Sequence, residues 1–180
     1  NDGSKYIGEF KNGFRNGKGT ISYGRKMFEG DIYEGEFKND KKNGQGTFKW
    51  NNGDKYEGNY EKGKINGEGT QTYFDGRKYV GNWMNGEFHG LGKFISSEGE
   101  SYEGQWNNGK YNGHGKYIFG VGKWKGDMYE GEYKNGKREG KGTYTFSDGK
   151  MYIGSFKNGK MNGKGILTSP SGYRYEGTWK

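Results

Sequence analysis

Few side chains in this sequence are of the kinds that perform catalysis, and their spacing does not bring them together. The chain has 180 residues, no cysteine and two histidines, His89 and His114, in corresponding regions of neighbouring segments. A protein zinc site needs three or four ligands, which this pair cannot supply. Serine and threonine are scattered without the histidine and acidic partners that would activate a nucleophile. We therefore predict no catalytic residue, no metal, no cofactor and no small-molecule substrate.

Acidic pairs and Gly-x-Gly motifs recur, but neither pattern indicates an active site. Glu130 and Glu132 are typical of the acidic pairs, because they stand two residues apart, like side chains on one face of a β-strand. We interpret such pairs as the solvent-exposed face of a strand. Gly-x-Gly pairs bind phosphate where a helix follows them, and no helical pattern follows here. We therefore interpret these glycines as strand residues.

Basic side chains give the sequence its second candidate chemistry. Lysine and arginine outnumber aspartate and glutamate, so the formal net charge is +8. Each cation near an anionic membrane surface contributes up to ~1 kcal/mol of attraction. The alternative is that these cations only keep a ring-rich protein soluble. The candidate lipid-binding residues are Lys41, Lys42, Lys137, Arg138, Lys157 and Lys160.

Nucleic acid fits this charge and ring content less well than a lipid surface does. The rings are spaced for packing across strands, and acidic residues lie among the basic ones. The sequence also carries no nucleic-acid-binding motif. We do not expect a nucleic-acid partner.

An internal repeat organises these residues. A tyrosine with a glycine two positions later recurs along the chain at spacings of 23 or 27 residues. No change of composition separates the copies, so we predict one array over residues 1–180, with the last unit truncated. The units start near Tyr6, Tyr33, Tyr56, Tyr79, Tyr102, Tyr129, Tyr152 and Tyr175.

Each unit is predicted to be a β-hairpin. In residues 129–149, rings and glycines alternate with charged residues on both sides of a turn-forming tip, residues 134–139. A lone hairpin of this size buries too little to fold, so neighbouring units must pack together. We expect a register that places a ring opposite every glycine, because a ring can cover bare backbone. The expected pairs are Tyr129–Phe146, Gly131–Tyr144 and Tyr133–Gly142.

A single sheet built in this way leaves one ring-covered face without a second layer. An open aromatic face of this size favours a binding partner, such as an apolar or helical segment of another protein, or a second copy of the chain. The alternative is that the rings pack only on their neighbours and on glycine. The predicted partner-binding groove consists of Tyr33, Tyr56, Tyr79, Tyr102 and Tyr129.

Two connections between units, residues 24–32 and 120–128, are four residues longer than the others. Each carries a ring, Phe28 or Trp124, followed two residues later by Gly-Asp. One interpretation is a hairpin extended by a bulged turn, and the other is a protrusion that faces a ligand.

The repeat YEGEYKNGKREGKGTYTFSDG resembles the MORN (membrane occupation and recognition nexus) repeat, and the resemblance covers essentially the whole chain. It implies an all-β fold, an elongated single-layer antiparallel sheet of stacked β-hairpins with an aromatic groove. MORN arrays occur in junctional membrane proteins, plant phosphatidylinositol phosphate kinases, a lysine methyltransferase, flagellar radial spokes and parasite cytoskeletal scaffolds.

The resemblance and the residues together lead us to expect a non-enzymatic protein-interaction scaffold. It would be cytoplasmic and either cytoskeletal, ciliary or at the cytoplasmic face of a membrane. The alternative is peripheral binding of anionic phospholipids through basic hairpin tips. A third possibility is an array attached to an enzyme domain that lies outside this sequence.

Overall fold

The structure, a computed structural model, describes residues 3–24 and 28–180. These residues form fifteen β-strands, and the helical segment among them is a short 3₁₀ turn at Gly122–Trp124. Across the described part of the chain, no helix is long and apolar enough to cross a membrane. The predicted all-β fold is confirmed. The chain divides into two compact units, Asn1–Glu87 and Phe88–Lys180.

Strands within each unit pair antiparallel with their sequence neighbours. The strands of the first unit are β1 Lys5–Lys11, β2 Phe14–Ser22, β3 Ile32–Lys38, β4 Lys41–Lys49, β5 Lys55–Glu61, β6 Lys64–Thr72 and β7 Lys78–Met84. The remaining strands, which apart from Glu87 belong to the second unit, are β8 Glu87–Ile95, β9 Ser101–Asn107, β10 Lys110–Ile118, β11 Met128–Lys134, β12 Lys137–Thr145, β13 Met151–Lys157, β14 Lys160–Thr168 and β15 Arg174–Trp179.

The hairpin tips are tighter than the sequence suggested. In the β11–β12 hairpin the turn consists of Asn135 and Gly136, whose φ angles are 50° and 81°. Two successive positive φ angles define the type I′ turn that Asn-Gly prefers, and its twist matches that of the strands. The prediction of a tip over residues 134–139 was therefore wrong, because both strands continue up to the two turn residues.

The predicted register was also wrong. Gly131 lies opposite Gly142, and Tyr129 lies opposite Tyr144. Closer to the turn, the register shifts between the Gly131–Gly142 and Tyr133–Arg138 pairs. Glu132 on one strand therefore lies opposite three residues, 139–141, on the other. The Glu132 Oε1 atom accepts the Lys141 backbone N–H at 2.9 Å and holds this bulge in place.

The facing glycines make room for a ring of the same hairpin, and not for a ring directly opposite each of them as expected. The tyrosine side chain runs along its own strand and covers both glycines. A Cβ atom added to Gly131 would lie 2.6 Å from the Tyr129 hydroxyl, and one added to Gly142 would lie 2.5 Å from a carbon of the same ring. The Tyr129 hydroxyl donates a hydrogen bond to the Glu132 carbonyl at 3.0 Å. We call this arrangement, one ring on two facing glycines, a tyrosine nest.

The nest recurs in both units. The same hydroxyl-to-carbonyl bond, between residues three apart, measures 2.8–3.1 Å in each case. The tyrosines that make it are Tyr6, Tyr33, Tyr56, Tyr79, Tyr102, Tyr129 and Tyr152.

Edge-to-face ring contacts link one nest to the next and form the core. The Tyr33 ring meets Phe37 of its own strand at 5.1 Å and Tyr60 of the following hairpin at 5.1 Å between centroids. In the second unit, Tyr129 meets Tyr133 and Phe156 in the same way. Such pairs are favourable because a positive ring edge meets a negative ring face. Within each unit, we call the surface that carries these rings the ring face and the other side of the strands, which carries Glu130 in the second unit, the opposite face.

Candidate functional site

The five tyrosines predicted to line a binding groove are buried. Each is the first residue of a nest, and its exposed fraction is 0%. No partner can contact these rings directly, since the neighbouring rings and the sheet cover them. The prediction is corrected accordingly: Tyr33, Tyr56, Tyr79, Tyr102 and Tyr129 form the floor of the ring face.

Other rings on the ring face are half-buried and can be touched from outside. In the first unit Trp50 packs on Phe48, with 4.6 Å between ring centroids. In the second unit Phe146 packs on Tyr144 at 4.8 Å. We call the set the outer rings: Tyr23, Trp50 and Tyr73 in the first unit, and Tyr117, Phe119 and Phe146 in the second. The period-two pattern of the sequence predicts which rings share a face, but it does not distinguish the buried rings from the half-buried ones.

Cations also lie on the ring face, at the position that follows the hairpin turn by two residues. The Arg15 guanidinium donates one hydrogen bond to the Asp40 carboxylate at 3.0 Å and another to the Asp40 backbone carbonyl at 2.9 Å. Arg138 donates to the Gly159 carbonyl at 2.5 Å, with its guanidinium 5.1 Å from the Tyr144 ring centroid. Each arginine is therefore fixed to the turn of the following hairpin.

Lys42 occupies the same position but has a different environment. Its ammonium lies 3.9 Å from the Phe48 ring centroid and 4.8 Å from that of Tyr33, with Tyr23 and Tyr60 at 5.5 and 5.7 Å. Burial lowers the pKa of Lys42 to about 8. Among the described residues, this ammonium forms no hydrogen bond and no salt bridge.

The structure divides the predicted lipid-binding residues into two groups. Lys42 and Arg138 lie on the ring face and not at the tips, because the strands begin directly after the two-residue turns. The other four are exposed beside the turns: Lys41, Lys137, Lys157 and Lys160. Lysines face each other directly across three of these ladders, in the pairs Lys38–Lys41, Lys134–Lys137 and Lys157–Lys160.

Each of the two long connections ends in a turn that is closed by backbone hydrogen bonds. The aromatic side chain of this turn, Phe28 or Trp124, lies beside an outer ring. In residues 120–128, Gly126 and Asp127 donate backbone bonds to Phe119 and Trp124 at 2.9 Å. The buried Asp127 carboxylate accepts the Ser147 N–H at 2.8 Å and the Tyr144 hydroxyl at 2.5 Å. Half of the Trp124 side chain is exposed, at 51%.

The first long connection has the same features where the structure describes it. Phe28 is 47% exposed and lies 6.0 Å from the Tyr23 ring centroid. The buried Asp31 accepts the Asn51 N–H at 2.8 Å. Residues 25–27 of this predicted loop lie outside the described residues.

The opposite face of the second unit carries an open groove of about 770 Å³. Its walls mix acidic, basic and apolar side chains, including Glu130, Lys141, Ile153 and Lys164, and His114 lies at one end. In the described part of the chain, no three or more His, Asp or Glu side chains cluster in a way that could hold a metal ion. The groove has no arrangement that would activate a nucleophile.

The tyrosine nests and type I′ turns coincide with a known repeat. The MORN repeat family matches residues 6–25, 33–55, 56–76, 79–101, 102–124, 129–151 and 152–172. The chain belongs to the MORN repeat family. MORN repeats form a module that is generally non-catalytic. No curated protein sequence matches this chain.

Among solved structures, this MORN array resembles the TCP domain of SAS-4 (dCPAP) from Drosophila melanogaster, solved with a proline-rich motif of Ana2 (dSTIL). The TM-score is 0.55 and the identity 13%, over 98% of this chain and 90% of that chain. A TCP10 domain variant of CPAP from Danio rerio also matches, with a TM-score of 0.28 and 14% identity over 99% of this chain and 96% of that chain. At this identity the first similarity concerns the fold alone, and the second carries no argument.

Proposed function

We propose that this MORN array is a non-enzymatic protein-binding module whose ring face takes an extended, proline-containing segment of a partner. The observation that carries the proposal is found in each unit by itself, where outer rings lie half-buried over a fully buried tyrosine floor. The floor fixes the outer rings, so binding needs little ordering of side chains. Rigid aromatic surfaces of this kind are typical anchors for a partner chain.

An extended proline segment suits this face for two reasons. A polyproline II helix is formed before binding, so it loses little conformational entropy, and its rings pack flat on aromatic side chains. The TCP domain with a similar fold was solved with a proline-rich motif, which supports the choice by analogy. A helical segment and a second copy of the chain are the other occupants that the test must consider.

The proposal predicts that Trp50→Ala weakens binding of a fluorescent oligoproline peptide by about tenfold or more, since aromatic anchors typically contribute ~2 kcal/mol. Fluorescence anisotropy gives the affinity, and thermal melting checks that the variant remains folded. Val80→Ala is the control, because Val80 is 46% exposed and follows Tyr79 on the other side of the strand. Failure of the unsubstituted protein to bind, or equal loss in both variants, contradicts the proposal.

Anionic lipid remains a second candidate, and the facing lysine pairs favour it. Like charges directly across a ladder are unfavourable, and a bound phosphate would relieve the repulsion. Two such pairs, Lys134–Lys137 and Lys157–Lys160, occur in successive hairpins of the second unit. Either activity would suit a protein located at the cytoskeleton or at the cytoplasmic face of a membrane, which we propose for this chain.

Charge reversal tests the lipid candidate separately. Lys137→Glu with Lys157→Glu should abolish sedimentation with phosphatidylserine vesicles at low salt, since each cation contributes up to ~1 kcal/mol at such a surface. Peptide binding on the ring face should be unchanged. Lys116→Glu with Lys164→Glu, which reverses two exposed lysines within strands β10 and β14, is the control with the same net charge. If this control variant has the same effect, the facing pairs have no special role.

A further inference from the structure

Three cations of this chain occupy one repeat position, and two of them have acceptors. Arg15 bonds the carboxylate and carbonyl of Asp40, and Arg138 bonds the carbonyl of Gly159. Arg77, elsewhere on the first unit, lies over the Tyr73 ring and is paired with Asp75 at 2.7 Å. The cationic groups near the outer rings are thus mostly satisfied within the protein.

Lys42 is the exception at this position. Its side chain turns onto the ring face, where four rings surround the ammonium at 3.9–5.7 Å. The rings attract its charge, but an ammonium also carries three N–H donors that need acceptors. Within residues 3–24 and 28–180 these donors form no hydrogen bond and no salt bridge. The site therefore presents a partly dehydrated cation beside the half-buried Tyr23 ring.

We propose that Lys42 is the docking point for a carboxylate of the partner segment, so that the preferred ligand is an acidic residue within an extended proline-containing chain. The inference rests on the proposed function and adds the charge of the ligand. A carboxylate complements the ammonium in charge and supplies two acceptor oxygens. It also fits the excess of cations in the whole chain, whose formal net charge is +8.

The surroundings of Lys42 give the proposal a pH signature. The charged groups that act on its ammonium are Asp31 and Arg15. Burial raises the pKa of the surrounding Tyr23, Tyr33 and Tyr60 phenols, so these rings stay neutral. Lys42 itself loses its proton as the pH rises through about 8. A preference for acidic ligands should therefore decline above pH 8, where the charge that attracts them is lost.

The test is a cycle of two proteins and two peptides. The probes are an oligoproline peptide with one central glutamate and its twin with glutamine, and the proteins are the unsubstituted chain and Lys42→Met. Methionine keeps the length and packing of the lysine stem and removes the charge. We expect the unsubstituted chain to prefer the glutamate peptide by about tenfold, as for a hydrogen bond between charged groups, and Lys42→Met to bind both peptides alike.

Each outcome decides the question. If the unsubstituted chain binds both peptides equally, or if Lys42→Met keeps the preference for glutamate, the Lys42 inference is overturned and the proposed function stands. If neither peptide binds the unsubstituted chain, both proposals fall. Arg138→Met is the matched control, because Arg138 has the same repeat position but an internal acceptor, and it should leave the glutamate preference unchanged.

Discussion

Gly131→Ala should lower the free energy of unfolding by about 3 kcal/mol or more, because overpacking at this site has no room to relax. An added Cβ would lie 2.5 Å from the Gly142 Cα and 2.6 Å from both the Lys141 carbonyl oxygen and the Tyr129 hydroxyl. Two of these three atoms belong to the backbone of the neighbouring strand and cannot rotate away. The strands would have to separate at the centre of a nest.

Urea unfolding of the two variants Gly131→Ala and Glu130→Ala measures this effect. Glu130 is the next residue along β11 and its side chain is exposed, so its removal should change the midpoint little. Similar midpoints for the two variants would show that the glycine is dispensable and that the nest is not a packing requirement.

Substitution of Gly142 tests the contact with the tyrosine ring specifically. The three atoms nearest to a Cβ added there all belong to Tyr129, so the cost should depend on that ring. Tyr129→Ala alone should cost about 4 kcal/mol, as expected for a buried aromatic residue. In that background Gly142→Ala should add little, and a double-mutant cycle would report strong coupling between the two positions. Additive effects would contradict the nest geometry.

Alkaline pH should unfold the protein steeply. Burial raises the pKa of Tyr56, Tyr111 and Tyr129 to about 12, whereas a tyrosine in an unfolded chain has a pKa of about 10. Between these values the folded protein keeps phenolic protons that the unfolded chain releases. The stabilisation from these tyrosines is therefore complete below pH 10 and is lost as the pH rises from 10 towards 12.

Lys42 changes the free energy of unfolding in the opposite direction, and at lower pH than the tyrosines do. Its lowered pKa of about 8 means that the folded state holds this proton less firmly than the unfolded chain does. The free energy of unfolding should therefore rise as the pH increases above 8, until the tyrosines reverse the trend above 10. Urea midpoints across this range, with tyrosinate absorbance recorded in parallel, test both signs. Ionisation of all 16 tyrosines near pH 10 in the still-folded protein would contradict the burial of these rings.

Much of the fold could be predicted because the repeat is strong. Period-two alternation indicated strands, and the turn-forming residues of the tips indicated hairpins. The register could not be predicted, because a size argument considers only the residue directly opposite each glycine. The Tyr129 ring instead runs along its own strand, and three residues opposite Glu132 shift the ladder on the turn side of the nest. Neither effect leaves a trace in the alternation pattern.

The candidate site was predicted less well than the fold. The sequence identified the correct face, since Tyr33 and Trp50 both lie on it, but not which of them is accessible. That difference depends on the nest, which buries the first tyrosine of each hairpin completely and leaves the later ring half-buried. Lys42 and Arg138 were assigned to tips because a longer turn was assumed. The two-residue turns bring both side chains into the strands and onto the ring face.

The long connections leave strand pairing untouched. Gly19 faces Gly35 across the longer connection, just as Gly46 faces Gly58 across a shorter one. The extra residues at this boundary lie outside the paired strands. Further sequence can therefore be inserted here without a change in strand pairing. A reporter or epitope tag inserted at residues 120–126 should leave the repeats on either side intact.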